Sequence, residues 1–185
     1  DGEGGQLSVV RSIYKKMRAG KRTSSLVQGD VGCGKTMVAL LLMLIMAENG
    51  YQSVLMAPTN VLAKQHYEEF TSRLAMFPFI KTVLVNGSMK KKEKEKAINA
   101  IKSGEANIIV GTHAVISKDI EFKNLALSIV DEEHRFGVAQ RRLLNEKTSG
   151  SIHTVTMSAT PIPRSLGMSI YGEDTDIYNI TQMPA

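Results

Sequence analysis

A chain of 185 residues has room for one compact domain with a sizeable core, and 43% apolar with 22% charged residues is ordinary for a folded domain, which excludes a disordered tail. A single cysteine, Cys33, excludes an intrachain disulfide framework and a zinc cluster built from thiolates, and it fits a reducing, cytoplasmic setting. The net charge of +5 favours a polyanionic partner, although where the charge sits matters more than its sum.

In chain order, Asp1 to Gly5 is neither signal-like nor hydrophobic and reads as a vector remnant or a frayed end, leaving residues 6–185 as one domain. Residues 24–28 form a short buried strand. Gly29, Asp30, Val31, Gly32, Cys33, Gly34, Lys35 and Thr36 follow it and fit the phosphate-binding pattern G-x-x-x-x-G-K-S/T at every fixed position. An unbroken apolar run of helix formers, 37–47, comes next. The loop thus lies between strand and helix, where its amides converge on phosphates at the positive end of a helix dipole. Lys35 would reach the β- and γ-phosphates and the Thr36 hydroxyl would ligate Mg²⁺. Cys33 occupies a spacer position. The apolar run is too short to cross a bilayer and stops at Glu48-Asn49-Gly50, a good helix terminus.

Beyond the loop, β-rich runs at 54–57, 82–85, 107–110, 127–130 and 153–157 alternate with helical stretches at 61–74, 90–102 and 138–146. This alternation predicts an α/β fold with a mostly parallel sheet covered on both faces. A last strand, 176–180, is either the sheet edge or the exit toward a following domain. The lysines of 90–96 open a helix whose apolar side is Ala97, Ile98 and Ile101, so most of them form a solvated face or else meet nucleic acid.

Ligands of such sheets gather at the carboxyl ends of the strands. There Leu125 to Val130 runs into Asp131-Glu132-Glu133-His134. Asp131 is the natural metal-side ligand, and Glu132 is placed to orient and deprotonate an attacking water. His134 either senses the nucleotide state through a neighbouring loop or is structural. Ser158 and Thr160, ahead of the prolines at 161 and 163, could couple the nucleotide site to a moving surface. The other tips carry Ala57-Pro58-Thr59, Val85-Asn86-Gly87-Ser88 and Gly111-Thr112-His113, where small polar residues and backbone amides could hold the phosphates of a strand-like ligand.

In order, GDVGCGKT, APTNVLAKQH, VGTH, DEEH and SATPIPR resemble motifs I, Ia, Ib, II and III of the first motor lobe of superfamily 2 helicases. The longer strings QGDVGCGKT, MAPTNVLAKQH, VGTHAVI, VDEEHRFGVAQR and MSATPIPRSL look like the RecG-type branch-migration helicases and their Mfd-type transcription-repair relatives. FGVAQR and the Tyr171-Gly172-Glu173-Asp174 stretch favour the former. The resemblance covers almost the whole chain. It implies a three-layer RecA-like domain using ATP and Mg²⁺, a motor on double-stranded and branched DNA in a bacterial cytoplasm, beside the nucleoid. It also implies that Gln6 reads adenine, that Ser158 and Thr160 couple hydrolysis to movement, and that Thr59, Gly87, Thr112 and His113 lie on the DNA side. A second motor lobe and a DNA-binding wedge domain, both outside this chain, would complete the machine. The lobe alone would bind nucleotide weakly and turn it over slowly, because arginine fingers come from the second lobe.

Other readings keep parts of the pattern. An RNA-directed helicase would carry the same motor motifs, a GTPase would need an Asn-Lys-x-Asp motif that is missing, and a non-catalytic binding module would not need Lys35, Thr36, Asp131 and Glu132 together.

Overall fold

The computed structural model describes residues 5–20, 22–29, 34–132, 143–144, 146, 152–159, 162–171 and 174–180. Among them are seven strands: β1 (Ser24–Gln28), β2 (Gln52–Met56), β3 (Thr82–Val85), β4 (Ile108–Gly111), β5 (Leu125–Glu132), β6 (His153–Ser158) and β7 (Thr175–Asn179). They form one sheet in the order β3-β4-β2-β5-β6-β1-β7, and every recorded pairing is parallel. Strands buried on both faces read as near-continuous apolar runs, which is why each strand was visible in the sequence within a residue or two.

The differences from the predicted limits have simple causes. β5 extends through Asp131 and Glu132, because backbone pairing with Met157 and Ser158 does not depend on side-chain charge. The last predicted strand is the sheet edge, β7, paired with β1 from Ser24–Thr175 to Gln28–Asn179.

The crossovers from β1 to β2, β2 to β3, β3 to β4 and β6 to β7 are helical. The described helices are α1 (Gln6–Arg18), α2 (Lys35–Glu48), α3 (Asn60–Arg73), α4 (Lys91–Ser103) and α5 (Arg164–Tyr171), with a 3₁₀ turn at His113–Ile116. Neither α1 nor α5 was expected from sequence, yet α1 carries a helical signal, Val9, Val10, Ile13 and Met17 all being buried along one face. The helix predicted at 138–146 lies largely outside the described residues.

Alternating strand residues split the core in two. Val27, Leu55, Ile108, Val110, Leu127 and Ile129 face α1, α2 and α3, where Ile13, Leu42, Met43 and Phe70 are fully buried. Val54, Met56, Ile109 and Val130 face the other way, toward Ala97, Ala100 and Ile101 of α4 and Val115 of the 3₁₀ turn. Leu26, next to Val27 and so on this second face, meets α5 at Gly167, which also packs on Ile177. The result is three layers, helices on either side of a parallel sheet.

The amino ends of the strands serve stability. Lys16 of α1 pairs with Asp176 of β7 at 2.6 Å, and that hydrogen bond raises the lysine pKa while burial raises that of the neighbouring Tyr178 phenol. His153 opens β6 with Nδ1 accepting from the Thr23 amide at 3.1 Å, and burial holds its pKa below the ordinary value. A cavity of about 630 Å³ opens at this end, lined in part by Tyr14, Met17, Arg18, Tyr51 and His153. None of the residues singled out above for phosphate, metal or nucleic acid lines it.

Candidate functional site

The chain leaves β1 at Gln28 and re-enters regular structure at Gly34, the N-cap of α2. Gly34 has φ 92°, in the left-handed region that favours glycine, and no side chain caps the helix. The first-turn amides of α2 therefore keep no side-chain acceptor, and they start a helix at the end of a central strand, a ready anion site. Lys35 reaches back toward the end of β1, where its Nζ donates to the Gly29 carbonyl at 2.5 Å. Thr36 follows it on the first turn, half-buried. A side chain at position 34 would collide with the Gln6 amide, since an ideal Cβ would lie 1.6 Å from Gln6 Nε2. Gln6 thus rests against Gly34, the residue that opens α2. Asp30, Val31, Gly32 and Cys33 lie outside the described residues. The donor set that is described, uncapped helix amides, an ammonium and a hydroxyl, suits a triphosphate.

The sheet order brings the tips of β5 and β6 beside the end of β1, where the loop begins. β5, β6 and β1 are consecutive neighbours, and their registers align Asp131 with Met157 and Val27, and Glu132 with Ser158 and Gln28. With about 4.8 Å between adjacent strands, the Glu132 and Gln28 backbones stand about 10 Å apart with Ser158 between them. The Gly29 amide donates to the Ser158 carbonyl at 3.1 Å, tying the root of the loop to the tip of β6. His134 and Thr160 lie outside the described residues.

Two residues of this half were not singled out by the sequence. Gln28, 2% exposed, accepts at Oε1 from the Ile162 amide at 2.7 Å, joining the loop to the segment after β6. His66 of α3 reaches Asp131, with Nε2 2.9 Å from Oδ2 and the two side chains 11% and 17% exposed. The signal for His66 was available in part, as a polar residue on the helix stripe that otherwise buries Ala63 and Phe70.

The remaining tips belong to the other half of the sheet. Thr59, Gly87 and the Thr112–His113 pair follow β2, β3 and β4, which are mutual neighbours in the order β3-β4-β2. Thr59 is exposed, N-caps α3 and accepts from the Leu62 amide at 3.1 Å, which leaves its hydroxyl proton for a further acceptor. Thr112 is 1% exposed and caps the 3₁₀ turn that presents His113, which is exposed. At Gly87 a Cβ would meet nothing within 4 Å, so packing within the described residues does not explain the missing side chain; at Gly111 a Cβ would lie 2.3 Å from the Val85 carbonyl oxygen, so the fold itself demands that glycine. Beyond Gly87, Lys90, Lys91, Lys92 and Lys96 are exposed at and along the start of α4, and none of them has an ion pair among the described residues.

Residues 5–168 match the DEAD/DEAH box helicase family. The chain belongs to that family. It is 45% identical over 176 residues to the ATP-dependent DNA helicase RecG of Streptococcus pneumoniae, covering 95% of this chain and 26% of that protein. It is also 45% identical over 175 residues to RecG of Borreliella burgdorferi, covering 95% and 25%. A solved RecG bound to a three-way DNA junction superposes with TM-score 0.81 at 40% identity over 97% of this chain and 24% of that one. The chain therefore spans about a quarter of the helicases it matches. The architecture is the RecA-like α/β fold of helicase motor lobes, and the helicase motifs fall in two groups, loop and acidic motif on one half of the sheet and the motifs between them in sequence on the other. Among the described residues, no helix is long and apolar enough to cross a membrane.

Proposed function

We propose that this chain, residues 6–185, is the first motor lobe of a RecG-type ATP-dependent DNA helicase, acting in a longer protein with a second motor lobe and a wedge domain. The observation that carries the reading is the sorting of motifs by the sheet order. Residues suited to a nucleotide crowd the tips of β5, β6 and β1, and residues suited to a phosphate backbone crowd those of β3, β4 and β2. One rigid sheet then joins an ATP site to a track for DNA, and the likeness to the junction-bound RecG extends over both halves.

The chemistry follows from the groups present. The α2 amides and Lys35 bind the phosphates, with Lys35 exchanging the Gly29 carbonyl for a phosphate oxygen. Thr36 and Asp131 would hold Mg²⁺, which supplies charge neutralisation on the β- and γ-phosphate oxygens when bound. Glu132 takes the proton from the attacking water, and Gln6 reads the base. Ser158, bonded through its carbonyl to the first residue of the loop and set beside Glu132 in the ladder, carries strain between the nucleotide and the segment after β6. Thr59, Gly87 and His113 hold backbone phosphates, which carry position rather than sequence, as a motor needs, while the buried Thr112 serves this side as the cap of the turn that presents His113. Arginine fingers from the second lobe would supply a large part of the rate, so this lobe alone hydrolyses ATP slowly.

The test is ATP hydrolysis by the full-length protein with branched duplex DNA, linear single strands, RNA, or no nucleic acid. Strong stimulation by branched DNA is expected, and Glu132→Gln should abolish it while nucleotide binding persists. Stimulation by RNA alone, or by nothing, would overturn the reading.

A further inference from the structure

His66 is the one polar residue on the buried stripe of α3. The helix packs against β3 and β4, Ala63 and Phe70 on its inner stripe are both fully buried, and His66 lies between them at helical spacing, one turn from each. An aliphatic side chain would fill that position at no polar cost, whereas a buried imidazole needs partners for its nitrogens. Its Nε2 finds one in Asp131 Oδ2 at 2.9 Å. A carboxylate oxygen only accepts, so Nε2–H donates, and the bond fixes the imidazole tautomer as well as the carboxylate rotamer. Phe70 stands one turn on with its ring centroid 6.2 Å from that of His66, walling the imidazole on one side. Oδ1 of Asp131 has no partner among the described residues.

From this geometry we infer that His66 is a positioning residue for the metal-side carboxylate. It takes Oδ2, leaving Oδ1 as the oxygen that serves the Mg²⁺ of the nucleotide, and it anchors that carboxylate to the helix whose first residue follows Thr59. The inference rests on the nucleotide half of the proposed function and needs nothing from the DNA half. Ligand carboxylates elsewhere are oriented in this way by neighbours that do not touch the metal, and loss of such a neighbour weakens metal affinity by roughly 10- to 100-fold.

The experiment uses the full-length protein and three substitutions. His66→Leu keeps the buried bulk and removes the donor; His66→Gln keeps an N–H able to reach Oδ2; His66→Ala replaces the leucine variant if that one does not fold. Mg²⁺ is titrated against binding of a fluorescent ATP analogue, beside a titration in EDTA, with the melting temperature measured in parallel. The Mg²⁺ concentration for half-maximal binding should rise about tenfold or more in His66→Leu and return to within about threefold of wild type in His66→Gln, while metal-free binding stays unchanged. An unaltered Mg²⁺ requirement in the leucine or alanine variant, whatever its melting temperature, would reduce His66 to a structural residue. A wild-type protein that binds nucleotide with Mg²⁺ but ignores DNA would sink the helicase reading and leave this one standing; a wild-type protein with no Mg²⁺-dependent binding would sink both.

Discussion

The side-chain oxygen of Gln28 accepts the Ile162 amide proton at 2.7 Å, while the main-chain oxygen of the same residue accepts that of Ile180 at 2.8 Å. The last residue before the phosphate loop is thereby pinned to the segment after β6 and to the end of β7. Gln28→Leu keeps the volume and removes the acceptor. It should cost about 1–2 kcal/mol of stability, read by urea denaturation, because the Ile162 amide loses its partner in a half-buried place. In the full-length protein it should lower the hydrolysis rate more than nucleotide affinity, since the loop amides themselves are untouched.

Gly111, the last residue of β4, and Gly87, just past the end of β3, stand on neighbouring tips and should respond oppositely. Gly111→Ala drives a Cβ against a Val115 methyl and against the Val85 carbonyl oxygen, and that carbonyl is β3 backbone that cannot move without disturbing the β3–β4 edge, so a loss of about 2 kcal/mol or more is expected in denaturant titrations. Gly87→Ala meets open space and should leave stability within about 0.5 kcal/mol. If a phosphate backbone lies against Gly87, the same substitution weakens DNA binding; unchanged affinity would remove Gly87 from the DNA side.

These contrasts mark how far the sequence could be read. The phosphate loop, the seven strands and the acidic motif were legible because each is a local pattern, an apolar run or a fixed spacing. Strand order is not local. Nothing in the run of residues around Thr59 or Gly87 says that β2, β4 and β3 are neighbours, and that order alone gathers one set of tips away from the other. His66 and Asp131 stand 65 residues apart, so their bond is invisible until α3 is laid on the sheet. The α1 helix is hard to see in the sequence for another reason: its apolar stripe sits among lysines and arginines and directly follows a glycine-rich start.

Protonation of His153 should destabilise the lobe. Its Nδ1 accepts from the Thr23 amide, a role a protonated ring cannot fill, and burial holds its pKa below 6.5 in the fold. As pH falls, the unfolded chain therefore takes up the proton first. This site's contribution is complete above about pH 6.5 and is lost progressively below it. His153→Asn supplies an amide oxygen near the position of Nδ1 and does not titrate. The melting temperature of the wild type should drop more than that of the asparagine variant between pH 8 and pH 5.5; parallel curves would show that His153 is not the group responsible.

The lysines at the start of α4 sit where electrostatics disfavours them. Lys90, Lys91 and Lys92 stand at the positive end of the helix dipole, with no side-chain cap and with Glu93 as the one acid in the first turn. Each cation there costs a few tenths of a kcal/mol, so Lys91→Glu and Lys92→Glu together should slightly stabilise the domain. If this face extends the track beyond Gly87, the double variant weakens DNA binding by the full-length protein, and the slope of log affinity against log salt falls by about 0.9 for each phosphate that is no longer neutralised. The readout is the salt series, because a solvated face and a DNA-binding face both permit a more stable helix and only the latter changes the slope. A gain in stability with an unchanged slope would leave the lysines to solvent and confine the track to the tips of β2, β3 and β4.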